Sequence, residues 1–241
     1  MGRIFEKRKH KMFARYDRLA KTFTRYGKEI AIAVKQGGAE PDQNPRLRAV
    51  IQNAKGVNMP KERIDAAIKR ASSKDSKENY EELVYEGYGP SGVAILIETA
   101  TDNHTRTVAN VRMYFNRSGG SLGKTGSLDF IFTRKGVFTI NVEQGVDVEE
   151  LELELIDFGL EEIEVEGNEA ILVTSFEDFA KMQKALEEKK INVVNGELQR
   201  IPNPDSMKEL SGEAIDAIHE LVEKIEQDDD VQAVYHNMKE I

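Results

Sequence analysis

The spacing of apolar residues changes once along the chain, and that change dictates what it can fold into. From Thr22 to Ala71 apolar side chains recur at three- and four-residue steps, as on one face of a helix; beyond Tyr80 they run consecutively or alternate, as in strands. The expected class is therefore α+β, with a helical N-terminal part. Phe23, Tyr26, Ile30, Ala33 and Val34 predict a helix over 22–36 that Gly37 and Gly38 stop. Met12, Tyr16 and Leu19 continue the spacing, so 10–21 either extends this helix or forms a mobile basic arm. Asn44-Pro45 reads as an N-cap followed by proline at the first helical position, opening a second helix that buries Leu47, Val50, Ile51 and Ala54 and ends at Gly56. Pro60 opens a third, with Ile64, Ala67, Ile68 and Ala71 on one face. Three such helices make one bundle, and the polar tract SSKDSKEN over 72–79 reads as a linker.

Further along, strands over 83–88 and 93–100 flank the turn GYGPSG, a helix covers 104–117, and another strand is expected over 128–132. Residues 137–201 then give strand, helix, strand, strand, helix, strand (137–142, 148–158, 163–165, 170–174, 176–188, 193–201), the βαββαβ order of a ferredoxin-like domain. The helix over 211–226 and the strand over 231–235 have no core of their own and are expected to return to the sheet begun in 81–133. The expected domains are a basic helical bundle with linker (1–80), a central α/β domain (81–135 with 205–241), and an inserted acidic ferredoxin-like domain (136–204).

The formal charge of −9 conceals segments of opposite character. Residues 1–80 hold 20 Lys/Arg against 9 Asp/Glu, net +11, whereas 134–204 hold 7 against 17 and 205–241 hold 3 against 11. One part is suited to a polyanion and the rest is not. The longest apolar runs, such as 93–97, fall far short of the roughly 20 residues a bilayer helix needs. The N-terminus is charged where a secretory signal carries its apolar core, and the chain has no cysteine. A cytoplasmic setting with no membrane partner is expected.

Several stretches imitate chemical motifs. Gly87–Gly92 matches G-x-G-x-x-G, but a strand is expected to follow where a dinucleotide site needs a helix N-terminus. Gly120-Ser121-Leu122-Gly123-Lys124-Thr125 approaches a phosphate-cradling loop, yet Ser118 stands where its first glycine belongs and a strand is again expected next. Thr101–Arg106 reads as a helix N-cap at Asp102 or Asn103, or as a loop presenting Asn103, His104 and Arg106 to a ligand. The four histidines lack metal-ligand spacing, and Asp228–Asp230 reads as a solvated helix end. No nucleophile–base pair stands out, so no cofactor, metal, small-molecule substrate or catalytic residue is expected.

The basic region points to nucleic acid. Lys7, Arg8, Lys9, Lys11, Arg15, Arg18, Lys21, Arg25 and Lys28 are interleaved with Phe13, Tyr16, Phe23 and Tyr26, and Arg46, Arg48, Lys55, Lys61, Arg63, Lys69 and Arg70 continue the charge through the next two helices. Clustered cations bind phosphates through counterion release, and aromatics can stack on unpaired bases. Asn103, His104, Arg106 and Lys124 are candidate secondary contacts from loops.

Two long stretches, NPRLRAVIQNAKGVNMPKERIDAAIKRA (44–71) and YEGYGPSGVAILIETATDNHTRTVANVRMYFNRSGGSLGKTGSLDFIF (85–132), closely resemble the YebC family, which includes the PmpR regulators and a mitochondrial translational activator. The resemblance spans nearly the whole chain, weakens in 136–204, and implies the same three-domain arrangement. The family opening resembles MAGHSKWANIKHRK, whereas this chain reads MGRIFEKRKHKMFARYDRLAK, keeping the charge without the tryptophan. The resemblance implies a regulator of gene expression, acting either at the ribosome, where it relieves stalls, or on DNA as a transcriptional regulator. Family grounds lean slightly toward the ribosome; the helix-turn-helix look of 45–71 favours DNA. A protein-binding scaffold and a nucleotide-dependent enzyme are the remote alternatives.

Overall fold

A computed structural model describes residues 2–73, 78–142 and 147–241, with side chains described from residue 20 onward except at Glu166. The first helix is continuous, α1 (Gly2–Gly37), so the stretch left open between helix and arm is helix. Two shorter helices follow, α2 (Pro45–Gly56) and α3 (Lys61–Ser72). Part of the expected linker, 74–77, lies outside the described residues. Next come β1 (Glu81–Tyr88), a single 3-10 turn (Pro90–Gly92), β2 (Ala94–Thr101), α4 (His104–Arg117) and the short β3 (Ser121–Leu122). The ferredoxin-like run is β4 (Phe132–Asn141), α5 (Val148–Ile156), β5 (Leu160–Glu166), β6 (Glu169–Ser175), α6 (Phe179–Glu188) and β7 (Val193–Pro202). The chain closes with β8 (Lys208–Leu210), α7 (Glu213–Glu226), β9 (Val231–His236) and β10 (Met238–Glu240).

The ferredoxin-like part has the sheet order β5-β6-β4-β7 with neighbouring strands antiparallel, as two interlocked βαβ units require. Phe138, Ile140, Leu155, Leu172 and Met182 form its core. A second sheet runs β3-β1-β2-β9, so β9 does return beside β2. The parallel pair β8–β10 has no counterpart among the elements expected from sequence. The strand expected over 128–132 is absent: those residues form a turn in which Ile131 and Phe132 donate to the Leu128 carbonyl, and the strand begins only at Phe132. The chain divides into two compact units, one holding residues 1–84, 97–111 and 222–234, the other 85–96, 112–221 and 235–241.

In the first unit, Ile30, Val34, Leu47, Val50, Ile64 and Ala67 pack into one bundle core. The turn between α1 and α2 is tied by Asn44, which is 3% exposed. Its Nδ2 donates to the carbonyls of Ala33 and Gly38 at 2.8 Å each, and its Oδ1 accepts from the Leu47 amide at 3.0 Å. One side chain thus satisfies end groups of two helices. Gly37 has to be glycine, because a Cβ there would meet the Asn44 amide at 2.7 Å.

The same unit buries an ionic cluster where the sequence suggested a solvated helix end. Asp230 is 2% exposed. Its carboxylate accepts from Lys28 Nζ at 2.9 Å, Arg106 at 2.7 Å, Thr107 Oγ1 at 2.9 Å and Thr101 Oγ1 at 3.1 Å. Lys28 directs its remaining donors to the carbonyls of Ala100 (3.0 Å) and Asp229 (2.8 Å). Asp228 is also engaged, accepting from Asn110 Nδ2 at 2.9 Å and from the Asp230 amide at 3.0 Å. Burial alone would raise the Asp230 pKa; hydrogen bonds from Lys28, Arg106 and Thr107 outweigh it and hold the carboxyl below its ordinary value.

A depressed carboxyl pKa stabilises the fold above the unfolded value of about 3.9, and the contribution fades as pH falls through the lower folded value. Asp230→Ala leaves the buried Lys28 without its counter-ion and is expected to cost about 3–5 kcal/mol at pH 7. In denaturant titrations the gap from the parent chain should narrow as the pH is taken well below about 4. Equal unfolding midpoints at pH 7 would show that the pair contributes nothing.

Candidate nucleic-acid interface

Helix α1 carries the first nine candidate cations. Lys7, Arg8, Lys9, Lys11, Arg15 and Arg18 fall on its described backbone, while their side chains lie outside the described residues. The next three, at spacings of four and three, share one face, and that face is occupied. Lys21 Nζ donates to the Gln227 carbonyl and Arg25 to the Glu226 carbonyl, both at 3.1 Å, while Lys28 reaches Asp229 and Asp230. These acceptors lie at and just after the C-terminal end of α7, where unsatisfied carbonyls and the negative end of the helix dipole favour cations. Lys28, expected as a nucleic-acid contact, is 8% exposed with three acceptors already on its ammonium, so it cannot reach a phosphate.

On α2, Arg46 donates to Gln36 Oε1 at 2.7 Å and pairs with Glu82, Arg48 is half-buried, and Lys55 is exposed near the C-terminal end. Helix α3 is sharply two-faced. Ile64, Ala67 and Ala71 are buried, while Lys61, Arg63, Lys69 and Arg70 are exposed. The Arg63 guanidinium lies 5.5 Å from the centre of the Phe23 ring, and Arg70 is 3.9 Å from Glu78. Lys55, Lys61 and Lys69 remain in solvent, as a surface meeting phosphates requires.

The loop candidates have local duties. Asn103 caps α4, its Oδ1 accepting from the Arg106 amide at 3.0 Å. His104 pairs with Glu81 at 2.8 Å. Arg106 bridges Asp230 and Asp102; hydrogen bonds to these two carboxylates raise its pKa above the ordinary guanidinium value. Lys124 is exposed. The loop around it does not open into a strand, as expected, but into the turn described above, organised by Glu86. That carboxylate, 3% exposed, accepts from the Gly126 amide at 2.8 Å, the Leu128 amide at 2.7 Å and Ser127 Oγ at 3.3 Å. Within the motif itself, the Gly120 amide donates to the Phe115 carbonyl at 2.9 Å and the Gly123 amide to the Glu86 carbonyl at 2.7 Å, so neither is left for a phosphate. In the G-x-G-x-x-G stretch, a Cβ at Gly87 would meet the Ser121 carbonyl at 2.6 Å and the Phe115 ring at 2.8 Å, so close packing accounts for that glycine.

Two features are not visible in the sequence. The first is the buried Asp230 cluster. The second is a cavity of about 510 Å³ in the first unit whose lining includes Phe23, Lys28, Arg63, Arg70 and Tyr80. Interleaved aromatics and cations are the available signal, but linear spacing does not show that residues 23, 63 and 80 meet.

Comparison with known proteins agrees with this layout. Residues 3–74 match the family described as TACO1/YebC protein N-terminal domain, and residues 80–238 match TACO1/YebC second and third domain. A "probable transcriptional regulatory protein" of Cytophaga hutchinsonii is 61% identical over 240 residues, covering 100% of this chain and 99% of that one. Its namesake in Parabacteroides distasonis is 54% identical, covering 100% and 98%. A crystal structure of a conserved hypothetical protein from Aquifex aeolicus superposes with a TM-score of 0.80 at 34% identity, covering 92% of this chain and 90% of that one. Together with the helical bundle, the central α/β part and the inserted ferredoxin-like part, these matches establish that the chain belongs to the TACO1/YebC family.

Proposed function

We propose that this chain is a non-catalytic regulator of gene expression that binds nucleic acid through the basic N-terminal helices, with DNA as its target and transcription as the step it controls. The observation that carries this reading is α3: a short helix after a turn, with its apolar side in the bundle core and Lys61, Arg63, Lys69 and Arg70 on its exposed side. A helix so disposed can lie in a major groove while flanking cations meet phosphates. The name carried by the relatives, probable transcriptional regulatory protein, agrees with it. Helix α1 supplies sequence-independent affinity through Lys7, Arg8, Lys9, Lys11, Arg15 and Arg18, with the exposed Lys55 of α2 adding to it. Asn103, His104 and Lys124 are secondary contacts at most.

The working division follows charge: a basic bundle (1–80) that binds, a central α/β domain (81–135 with 205–241) that supports it, and an acidic ferredoxin-like insertion (136–204) that polyanions repel. We place the protein in the cytoplasm; none of its described helices is long and apolar enough to cross a membrane. A ribosomal target is the second reading. It is favoured by the spread of exposed cations over more than one helix, which suits a folded RNA with phosphates in several directions.

Replacing Lys7, Arg8, Lys9 and Lys11 together by alanine should weaken binding to every sequence tested. It should also flatten the dependence of log K on log salt, by about 0.9 for each phosphate of duplex DNA that the variant no longer neutralises. Undiminished affinity in that variant would remove α1 from the interface. The choice of target is tested by competition and sedimentation. If DNA is the target, a cognate promoter should outcompete random duplex by about 10³-fold or more. Preference within about tenfold, together with salt-sensitive co-sedimentation with ribosomal particles, would transfer the assignment to ribosomal RNA.

A further inference from the structure

The cavity beside α1 and α3 has a lining that an outward-facing phosphate-binding surface does not need. Its volume of about 510 Å³ lies within the roughly 300–1,000 Å³ usual for small-ligand sites. Phe23 and Tyr80 contribute aromatic rings, each already faced by a cation: Arg63 lies 5.5 Å from the Phe23 centroid and Lys28 lies 5.2 Å from that of Tyr80. Arg63 and Arg70 are exposed and Lys28 is buried, so the guanidiniums stand toward solvent and the ammonium stands inside.

The chemistry of the guest follows from this lining. A cationic guest would be repelled by Arg63 and Arg70, and a purely apolar one would leave both guanidiniums unused. A flat π system joined to an anion satisfies both sets of groups, since rings and guanidinium planes stack on a nucleobase while guanidiniums pair with its phosphate. The pair between Arg70 and Glu78 is long, at 3.9 Å, and its arginine side chain is 67% exposed, so a phosphate can displace it at small cost. Lys28 offers no free donor, since its ammonium is held by Asp230 and two carbonyls, so the phosphate is left to Arg63 and Arg70. Burial, then the neighbouring Glu78 and Asp102, raise the Tyr80 pKa, keeping its phenol protonated and able to donate.

We propose that this cavity binds one unstacked nucleotide, its base against Phe23 and Tyr80 and its phosphate on Arg63 and Arg70. The inference rests on the nucleic-acid reading and deepens it: the polymer recognised presents an unpaired or extruded base, whether in RNA or in opened DNA. The same chemistry is available from a free nucleotide, so the test carries an arm for each.

The full chain is titrated with a short single strand containing 2-aminopurine, with the same strand in a duplex, and with AMP as competitor. Stacking should change 2-aminopurine emission on binding of the single strand. Ala66→Leu tests the site without disturbing the core, because Ala66 is an exposed position on α3 that lines the cavity. It should abolish the emission change and weaken single-strand binding on the order of tenfold. Arg63→Gln should weaken the single strand similarly. Competition by AMP at concentrations comparable to the strand would assign the cavity to a free nucleotide, and failure of AMP to compete would assign it to the polymer. Single-strand binding at full affinity in Ala66→Leu, with no emission change in the parent chain, overturns the cavity and leaves the basic helices standing. Failure of the parent chain to bind any strand or duplex overturns both.

Discussion

A single buried carboxylate, Asp230, organises the first of the two units. It gathers Lys28 from α1, Thr101 from the end of β2, and Arg106 and Thr107 from the first turn of α4, all of them far from it in sequence. A buried ion pair of this kind is a weak source of net stability compared with an apolar core, because both charges lose hydration. Its effect here is on register. Lys28 can meet Ala100, Asp229 and Asp230 together only if α1 keeps one rotation and one translation. That rotation sends Ile30, Ala33 and Val34 into the bundle core.

The same cluster changes how the basic character of the chain is to be counted. A net charge of +11 over 1–80 suggests a uniform cationic surface. In the structure, Lys21, Arg25 and Lys28 serve carbonyls and a carboxylate within the unit, and Arg46 pairs with Glu82. Internal cations hold α1 in place; exposed ones, chiefly on α3, are left for an external anion. Counterion release depends only on the second group, so the electrostatic footprint is smaller than the composition suggests.

Legibility in the sequence followed the range of the interactions. Signals written locally were readable: the Asn44-Pro45 start of α2, the apolar faces of α2 and α3, and the βαββαβ order, whose alternation is a property of consecutive residues. Asp102-Asn103 as the start of α4 was readable for the same reason, since an N-cap bonds only a few residues away. What failed was long-range. Asp228–Asp230 looked like a solvated helix end because its partners are Asn110, Lys28, Arg106 and the two threonines, none nearby in sequence. The apolar run at 128–132 looked like a strand because nothing within it reveals that Glu86, far earlier in the chain, gathers the amides of Gly126 and Leu128 into a turn. The pair β8–β10 is only three residues on each side and leaves no periodicity to detect.

Glu86 and Asp230 solve one problem in two ways, and the comparison bears on where an external anion can bind. Each is a buried carboxylate satisfied by several donors, but Glu86 takes two backbone amides and a hydroxyl, whereas Asp230 takes two cationic side chains and two hydroxyls. Amides gathered around Glu86 are permanently occupied, so the loop near Lys124 presents an exposed cation without a cradle. Around α3 the reverse holds: Lys61 and Lys69 are exposed, and Arg63 faces a ring rather than a carboxylate. Anion-binding capacity left over after folding is therefore concentrated on the helical bundle, even though the motif that most resembles a phosphate loop lies elsewhere in the chain.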